Sequence, residues 1–466
     1  MGTGSVSVSV PLSTILRASE PSVSSSNVTM GNAVTIYTNR KSTSFAHTIT
    51  YSFGSASGTI ATGVGDNVSW TPPTSLASQI LNSTTGTCTI TCYTYSGSTL
   101  IGTKTVTLTL TVPSASNPSL SAGSITIGNA VTIYTNRKST SFTHTVRYVW
   151  GSKSGTIKTS VTDNTQWTLP MDLCNEIPAA TSGIGTIYID TYNGSKLVGT
   201  TSIGFTGIVP DSVAPSISSV SVSAGNSVVP SSWGVYVQGK SSLKVVTAAS
   251  GSYSSSIKSY KITGIDNNTY NSNDFTSAIL QIVGTRTITI TVTDSRGRTA
   301  TTTRTYTCVA YSNPKITLAT VTRCNADGVV NNQGQYVKYS FKASISPVNN
   351  KNSYVYKLGY KLHKDSTYTY ITITNNSYTL EKIDQVLTDL IFSTNNSYDF
   401  IFYVADYFAL TVDEEPVSAG FKLANMNASG KGFAIGKMSE MDAFEVGIPM
   451  YYNGQLMLEY EVVDEW

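Results

Sequence analysis

The sequence predicts a mainly β protein: tandem immunoglobulin-like antiparallel β-sandwiches, then a β-rich C-terminal module with one short helix and a Gly-rich tail. Three observations predict this. First, the fifteen residues GNAVTIYTNRKSTSF occur at Gly31–Phe45 and again at Gly128–Phe142, and the 97-residue offset continues without a gap to the end of each copy. Second, apolar side chains alternate with Thr or Ser, as in Val106-Thr107-Leu108-Thr109-Leu110-Thr111-Val112, which is the period of a half-buried strand. Third, short Gly- or Ser-containing clusters such as Ser96-Gly97-Ser98 fall at hairpin spacing.

Read in order, residues 1–21 form an N-terminal arm of alternating Ser and Val. The arm has neither the cationic start nor the continuous apolar stretch of a signal peptide. Repeat 1 spans 22–115 and repeat 2 spans 116–212, each about the size of one sandwich. Tyr51 answers Tyr148, Asp66 answers Asp163, Trp70 answers Trp167 and Tyr95 answers Tyr192. Residues 213–311 keep the β texture but lose the repeat. The turn Asp294-Ser295-Arg296-Gly297-Arg298 closes what reads as a third, divergent sandwich. A Tyr-rich β module follows at 312–425, where Ile383, Val386, Leu387, Leu390 and Ile391 recur at helical spacing and predict one short helix. The Gly-rich segment 426–466 is too short to enclose its own core, so it is expected to join copies of the chain into a homo-oligomer.

Composition excludes several functions. Lys and Arg number 30 against 27 acids, the net charge is +3, and like charges do not cluster, so a nucleic-acid partner is not expected. No stretch of 18 apolar residues would span a bilayer, so no membrane partner is expected either. The five cysteines do not align between the repeats: Cys88 and Cys92 answer Gly185 and Ile189, and Cys174 answers Ala77. They read as buried thiols rather than a disulfide framework.

No catalytic, cofactor or metal site is predicted. Asp66 and Asp163 precede Asn in a loop and read as turn formers. His47 and His144 are repeat partners with no Cys or acid at metal spacing, and read as structural hydrogen-bonding groups at strand starts. Trp70 and Trp167 have the placement of core residues, with sugar stacking as the alternative. The pairs Arg40-Lys41 and Arg137-Lys138 sit in polar turns and are candidates for contact with wall phosphates. The 28 Tyr against 13 Phe point to a recognition surface in the Tyr354–Tyr407 region, with Tyr354, Tyr356, Tyr360, Tyr368 and Tyr370 as candidate host-surface binding residues. Strand alternation should turn roughly half of these inward.

Several motifs carry a family resemblance. Thr-Ile-Tyr-Thr-Asn-Arg, His47-Thr48 leading to Tyr51, Trp70-Thr71-Pro72-Pro73 and Thr94-Tyr95-Ser96-Gly97 resemble minor structural proteins from tails of phages that infect Gram-positive bacteria. The second copy repeats the pattern at His144-Thr145, Trp167-Thr168-Leu169-Pro170 and Thr191-Tyr192-Asn193-Gly194. Arg323-Cys324-Asn325-Ala326-Asp327-Gly328 and Gly432-Phe433-Ala434-Ile435-Gly436-Lys437 look like the final module of the same proteins. The resemblance implies a non-enzymatic tail fibre or tail-tip component that spaces and presents a host-binding module. It implies assembly in the host cytoplasm, location in the virion, other tail proteins as partners, and trimeric association. A wall polysaccharide or teichoic acid is the expected host ligand. Ser5–Leu16 would be a β-arm pairing with another tail protein, unless attachment lies elsewhere. The alternatives are a bacterial surface adhesin, which should carry a signal peptide and an anchor, and a tail-associated glycan hydrolase, which needs two carboxylates across one sugar bond.

Overall fold

The computed structural model describes residues 1, 2, 5, 16–420, 424–426, 429–436, 444–446, 450–452 and 455–458. Residues 6–15 of the expected β-arm Ser5–Leu16 and most of the expected oligomerisation segment 426–466 lie outside these residues.

Each repeat is a pair of sheets. In repeat 1 a three-stranded sheet runs Ser22–Val23, Val34–Tyr37, Asn67–Trp70, and a five-stranded sheet runs Asn27–Thr29, Thr99–Thr111, Thr85–Ser96, Phe45–Phe53, Ala56–Val64. Repeat 2 has the same order: Ser119–Leu120, Ala130–Tyr134, Asn164–Thr168 in one sheet and Ser124–Thr126, Lys196–Ile208, Ser182–Asn193, Phe142–Trp150, Lys153–Val161 in the other. Registers match as well, with Val34 opposite Trp70 and Val131 opposite Trp167. A 3-10 turn crosses between sheets in both, at Thr74–Ile80 and Met171–Glu176.

The next segment has no sequence repeat, yet its strand order is the same. Ser216–Ala224, Leu243–Ser250 and Asp274–Thr276 form one sheet, and Tyr236–Val237, Thr299–Val309, Gly284–Asp294, Ile257–Ile265 and Asn268–Tyr270 form the other. The C-terminal module pairs Lys315–Cys324, Tyr336–Ser344 and Thr379–Val386 against Thr369–Thr372, Val355–Leu362, Tyr398–Ala405 and Leu410–Val417. Beyond it lie a small sheet of Ala424–Met426, Phe433–Ile435 and Phe444–Val446, and the hairpin Met450–Tyr452 with Gln455–Leu458. The chain divides into two compact units: Met1–Ser218 with Ala249–Tyr260 and Thr291–Thr301, and Ser219–Ala248 with Lys261–Ile290 and Thr302–Trp466.

Alternation decides the cores. In Phe45–Phe53 the residues Phe45, His47, Ile49 and Phe53 are buried, and Val106–Val112 turns Leu108, Leu110 and Val112 inward while Thr faces out. Trp70 and Trp167 are each only 8% exposed and stack on Tyr51 and Tyr148 at 5.0 and 4.8 Å, so both are core residues in like surroundings. All five cysteines are buried and free. Burial pushes the thiols of Cys88, Cys92 and Cys308 up to about 11, which keeps them in the unreactive protonated form.

The expected helix around Ile383–Ile391 does not form. Thr379–Val386 is a strand paired antiparallel with Tyr336–Ser344. The register slips between Tyr339 and Phe341, and Asp384 takes a φ of 48° with its N–H donated to the Ser340 hydroxyl. A bulge of this kind inserts one residue and shifts the phase of the alternation, so a period of two reads locally as three and four. Ile383 and Ile391 are exposed, while Leu387 and Leu390 pack on the core from the loop that follows.

Candidate recognition face and family membership

The C-terminal module is fastened by one buried cation. Arg323 ends its strand with the guanidinium facing five carbonyls: Nε donates to Ser418 O at 2.7 Å, Nη1 to Gly334 O and Phe392 O at 3.1 Å each, and Nη2 to Ser393 O at 3.1 Å and Asn396 O at 2.8 Å. Five planar donors suit this task as no ammonium would. Loops from three parts of the module are thereby held at one end of the sandwich.

The sheet of Val355–Leu362 and its neighbours turns Tyr356, Leu358, Phe400, Phe402 and Val404 into the core. Its other face is open. Lys357, Gly359 and Lys361 alternate outward, and the register sets Gly359 opposite both Tyr370 and Ile401, and Lys357 opposite Tyr403. Gly359 has a steric reason: a Cβ there would lie 2.6 Å from Ile401 Cγ2 and 2.9 Å from the Tyr370 ring. Tyr370 therefore lies down over the glycine, and stays 46% exposed. Tyr403 meets it edge-on at 6.0 Å and Tyr368 follows at 6.1 Å. The Lys357 ammonium stands 5.7 and 5.4 Å from the Tyr370 and Tyr403 centroids, and that of Lys361 is 5.1 Å from Tyr368.

An acid completes the row. Asp399 Oδ1 is 2.8 Å from His363 Nδ1, and Oδ2 is 3.2 Å from Lys361 Nζ. The His363 contact, aided by Lys361, holds this carboxyl below its ordinary range, so it stays ionised. Burial and then the Glu414 carboxylate push the Tyr368 phenol up to about 12, so it stays neutral. The face thus offers flat aromatic surface beside fixed charges of both signs.

The candidate residues fall into three groups. Tyr368 and Tyr370 belong to the open face. Tyr356 is 2% exposed and donates its hydroxyl to Ser377 O, while Tyr354 and Tyr360 pack against the core. The basic pairs lie elsewhere: Arg40 is tied to Asp66 at 3.1 Å and Arg137 to Asp163 at 3.3 Å, Lys138 reaches the Ser114 hydroxyl, and Lys41 is exposed. Asp66 and Asp163 are thus the ion-pair partners of those arginines. Tyr403, Lys357 and Lys361 were not singled out from the sequence. The signal for the two lysines was present, since Lys357 and Lys361 share a strand at even spacing. Among the described residues no group of three His, Cys, Asp or Glu could hold a metal ion, and no helix is long and apolar enough to cross a membrane.

Tandem β-sandwiches that lead to a module with an open aromatic and charged face define a β-rich modular chain. The family is specific: the chain belongs to the family described as siphovirus protein of unknown function (DUF859), whose model matches residues 2–126 and 119–465. No curated protein matches. Among solved structures, a tetra-tandem repeat in the extending region of a large adhesion protein is 10% identical, covering 86% of this chain and 100% of that chain, with a TM-score of 0.31. A Ca2+-stabilized adhesin described as helping an Antarctic bacterium reach out and bind ice is 13% identical, covering 86% of this chain and 99% of that chain, with a TM-score of 0.35. The protocadherin GammaB4 extracellular domain is 12% identical, covering 89% of this chain and 70% of that chain, with a TM-score of 0.26.

Proposed function

We propose that this siphovirus protein is a non-enzymatic structural component of the phage tail, a tail fibre or tail tip. Its sandwiches, at 22–115, 116–212 and 213–311, space a host-binding module at 312–425. The observation that carries the reading is the outward row of Tyr368, Tyr370, Tyr403 and Lys357 on a module fastened by the buried Arg323. The ligand is a host cell-surface glycan, a wall polysaccharide or teichoic acid, stacked on Tyr370 with its anionic groups toward Lys357. Other tail proteins are its partners in the virion, and the protein associates as a homo-oligomer, a trimer on the family resemblance. No cofactor takes part.

Binding of the full chain to purified Gram-positive cell walls tests this. Tyr370→Leu with Tyr403→Leu is expected to weaken binding by about tenfold or more, the loss of two stacked rings at ~1 kcal/mol each, while the melting temperature holds. Undiminished binding by that variant would move the site elsewhere. Sustained release of new reducing ends from the walls by the unaltered protein would identify a hydrolase instead.

A further inference from the structure

The 3-10 turns leave backbone carbonyls at the end of each repeat with a lone pair still to offer, even where, as at Ile80 O and Cys174 O, one bond is made within the module. In repeat 1 these are Ala77 O, Ile80 O and Ser83 O, and a single side chain from repeat 2 answers all three. Asn193 Nδ2 lies 3.2, 3.1 and 3.1 Å from them, fully buried. Asn193 O accepts the Asn82 N–H in return, and Asn82 Oδ1 accepts from Ser195. Phe142, next to Asn193 in the sheet register, packs into the core of repeat 1.

The positions 97 residues on from Ala77 and Ile80 are Cys174 and Ile177. Their carbonyls are offered in the same way, and a different residue meets them. Arg296 donates from Nη2 to Cys174 O at 2.8 Å and from Nε to Ile177 O at 3.2 Å, with only 7% of the residue exposed. Asn193 and Arg296 have no common sequence surroundings, but both lie at the hairpin end joining the same two strands of their sheets, Asn193 as the last strand residue and Arg296 in the turn: Ser182–Asn193 to Lys196–Ile208, and Gly284–Asp294 to Thr299–Val309.

We propose that the carbonyl cluster ending each 3-10 turn is a socket between modules, and that the corresponding hairpin of the next module carries the plug that fixes it in place. Asn193 is the plug of the first junction and Arg296 that of the second. The socket dictates only a buried donor, so an amide and a guanidinium serve alike. The connecting segments 112–118 and 209–215 then run between locked modules, the second through a turn closed by Val213 N–H on Pro210 O.

The test is limited proteolysis of the full chain by a broad-specificity protease, with cleavage mapped to the two connectors. Asn193→Asp keeps the shape but turns a carboxylate toward three carbonyls. Cleavage within 112–118 is expected to rise about tenfold or more, equivalent to ~1.4 kcal/mol, and cleavage within 209–215 to stay unchanged. Arg296→Met is expected to give the opposite pattern. Near-UV circular dichroism reports whether the sandwiches remain folded. If Asn193→Asp loses that signal, Asn193→Ser, the residue repeat 1 carries at Ser96, is read in its place. Cleavage at both connectors that matches the unaltered protein in folded variants would overturn the proposal, as would a rise at both connectors from either change.

Discussion

Phe53, Cys88 and Leu110 of repeat 1 give way to Trp150, Gly185 and Gly207 in repeat 2, and the exchange is one of volume. Trp150 is 1% exposed, and its Nε1–H donates to Leu173 O at 3.0 Å. The larger ring takes space that side chains at 185 and 207 would need. A Cβ at Gly185 would lie 2.5 Å from the Phe205 ring and 2.7 Å from Trp150, and one at Gly207 would lie 2.6 Å from Trp150. These are ring atoms locked in a close-packed interior, so there is little room to give. Gly185→Ala is expected to destabilise repeat 2 by about 1–3 kcal/mol. Denaturant unfolding followed by tryptophan fluorescence checks it, and a neutral or stabilising result would mean that the core relaxes around the methyl group. The sequence showed this site only as a mismatch, Cys against Gly at one offset. Its cause needed Trp150 and Phe205, which meet it across the sheet and not along the chain.

At the scale of elements, each repeat begins with the same lock. Ser116 N donates to Thr191 Oγ1 at 3.1 Å, its Oγ pairs with His144 Nε2 at 2.9 Å, and His144 Nδ1 faces Val161 O at 2.9 Å. Ser19, Thr94, His47 and Val64 repeat the arrangement in the first module. Because a carbonyl only accepts, the Nδ1 of His144 carries a proton, and the Ser116 hydroxyl can donate to its Nε2 when the ring is neutral. Burial, more than any other cause, holds His144 below its ordinary value. Between that lowered value and the unfolded value of about 6.5, the unfolded chain binds the extra proton, so stability falls as pH drops through this window. The melting temperature of repeat 2 is expected to decline from pH 7 toward pH 5, and His144→Gln should flatten that slope while lowering stability at pH 7. Equal slopes in the two proteins would place the titration elsewhere. The histidine pair was legible in the sequence as structural because repetition and strand position both marked it. The segment around Ile383 reads as a helix because a strand bulged at Asp384 runs straight into a loop whose Leu387 and Leu390 also pack on the core, and only the partner strand Tyr336–Ser344 reveals which residues pair. The open face was half legible: period two assigns Tyr356 and Lys357 to opposite sides, but nothing local says which side is buried. That depends on the second sheet.

At the scale of the whole molecule, the C-terminal strands hold an apolar row that stands exposed among the described residues. The register aligns Met426 with Phe433 and Phe433 with Phe444, so the three side chains share one face of a three-stranded sheet. Phe433 and Phe444 stack at 6.1 Å, yet Met426, Phe433 and Phe444 are 61%, 40% and 56% exposed. Across the same sheet Ala434 is fully buried, so only one side has found cover. Three large apolar side chains in one row form a patch that symmetry-related copies would bury, each gaining about 25 cal/mol per Å² of apolar surface removed from water. This is the physical basis for the proposed homo-oligomer, and the trimeric number comes from the family resemblance alone. Sedimentation of the full chain at micromolar concentration is expected to give a multiple of the 49.6 kDa monomer. A chain ending at Asn425 should run as a monomer with its sandwiches intact. Phe433→Ser with Phe444→Ser should dissociate the full chain without shortening it, which separates loss of the apolar row from loss of the segment. A monomeric full chain, or a truncated one that assembles as before, would show that copies of this protein do not meet here.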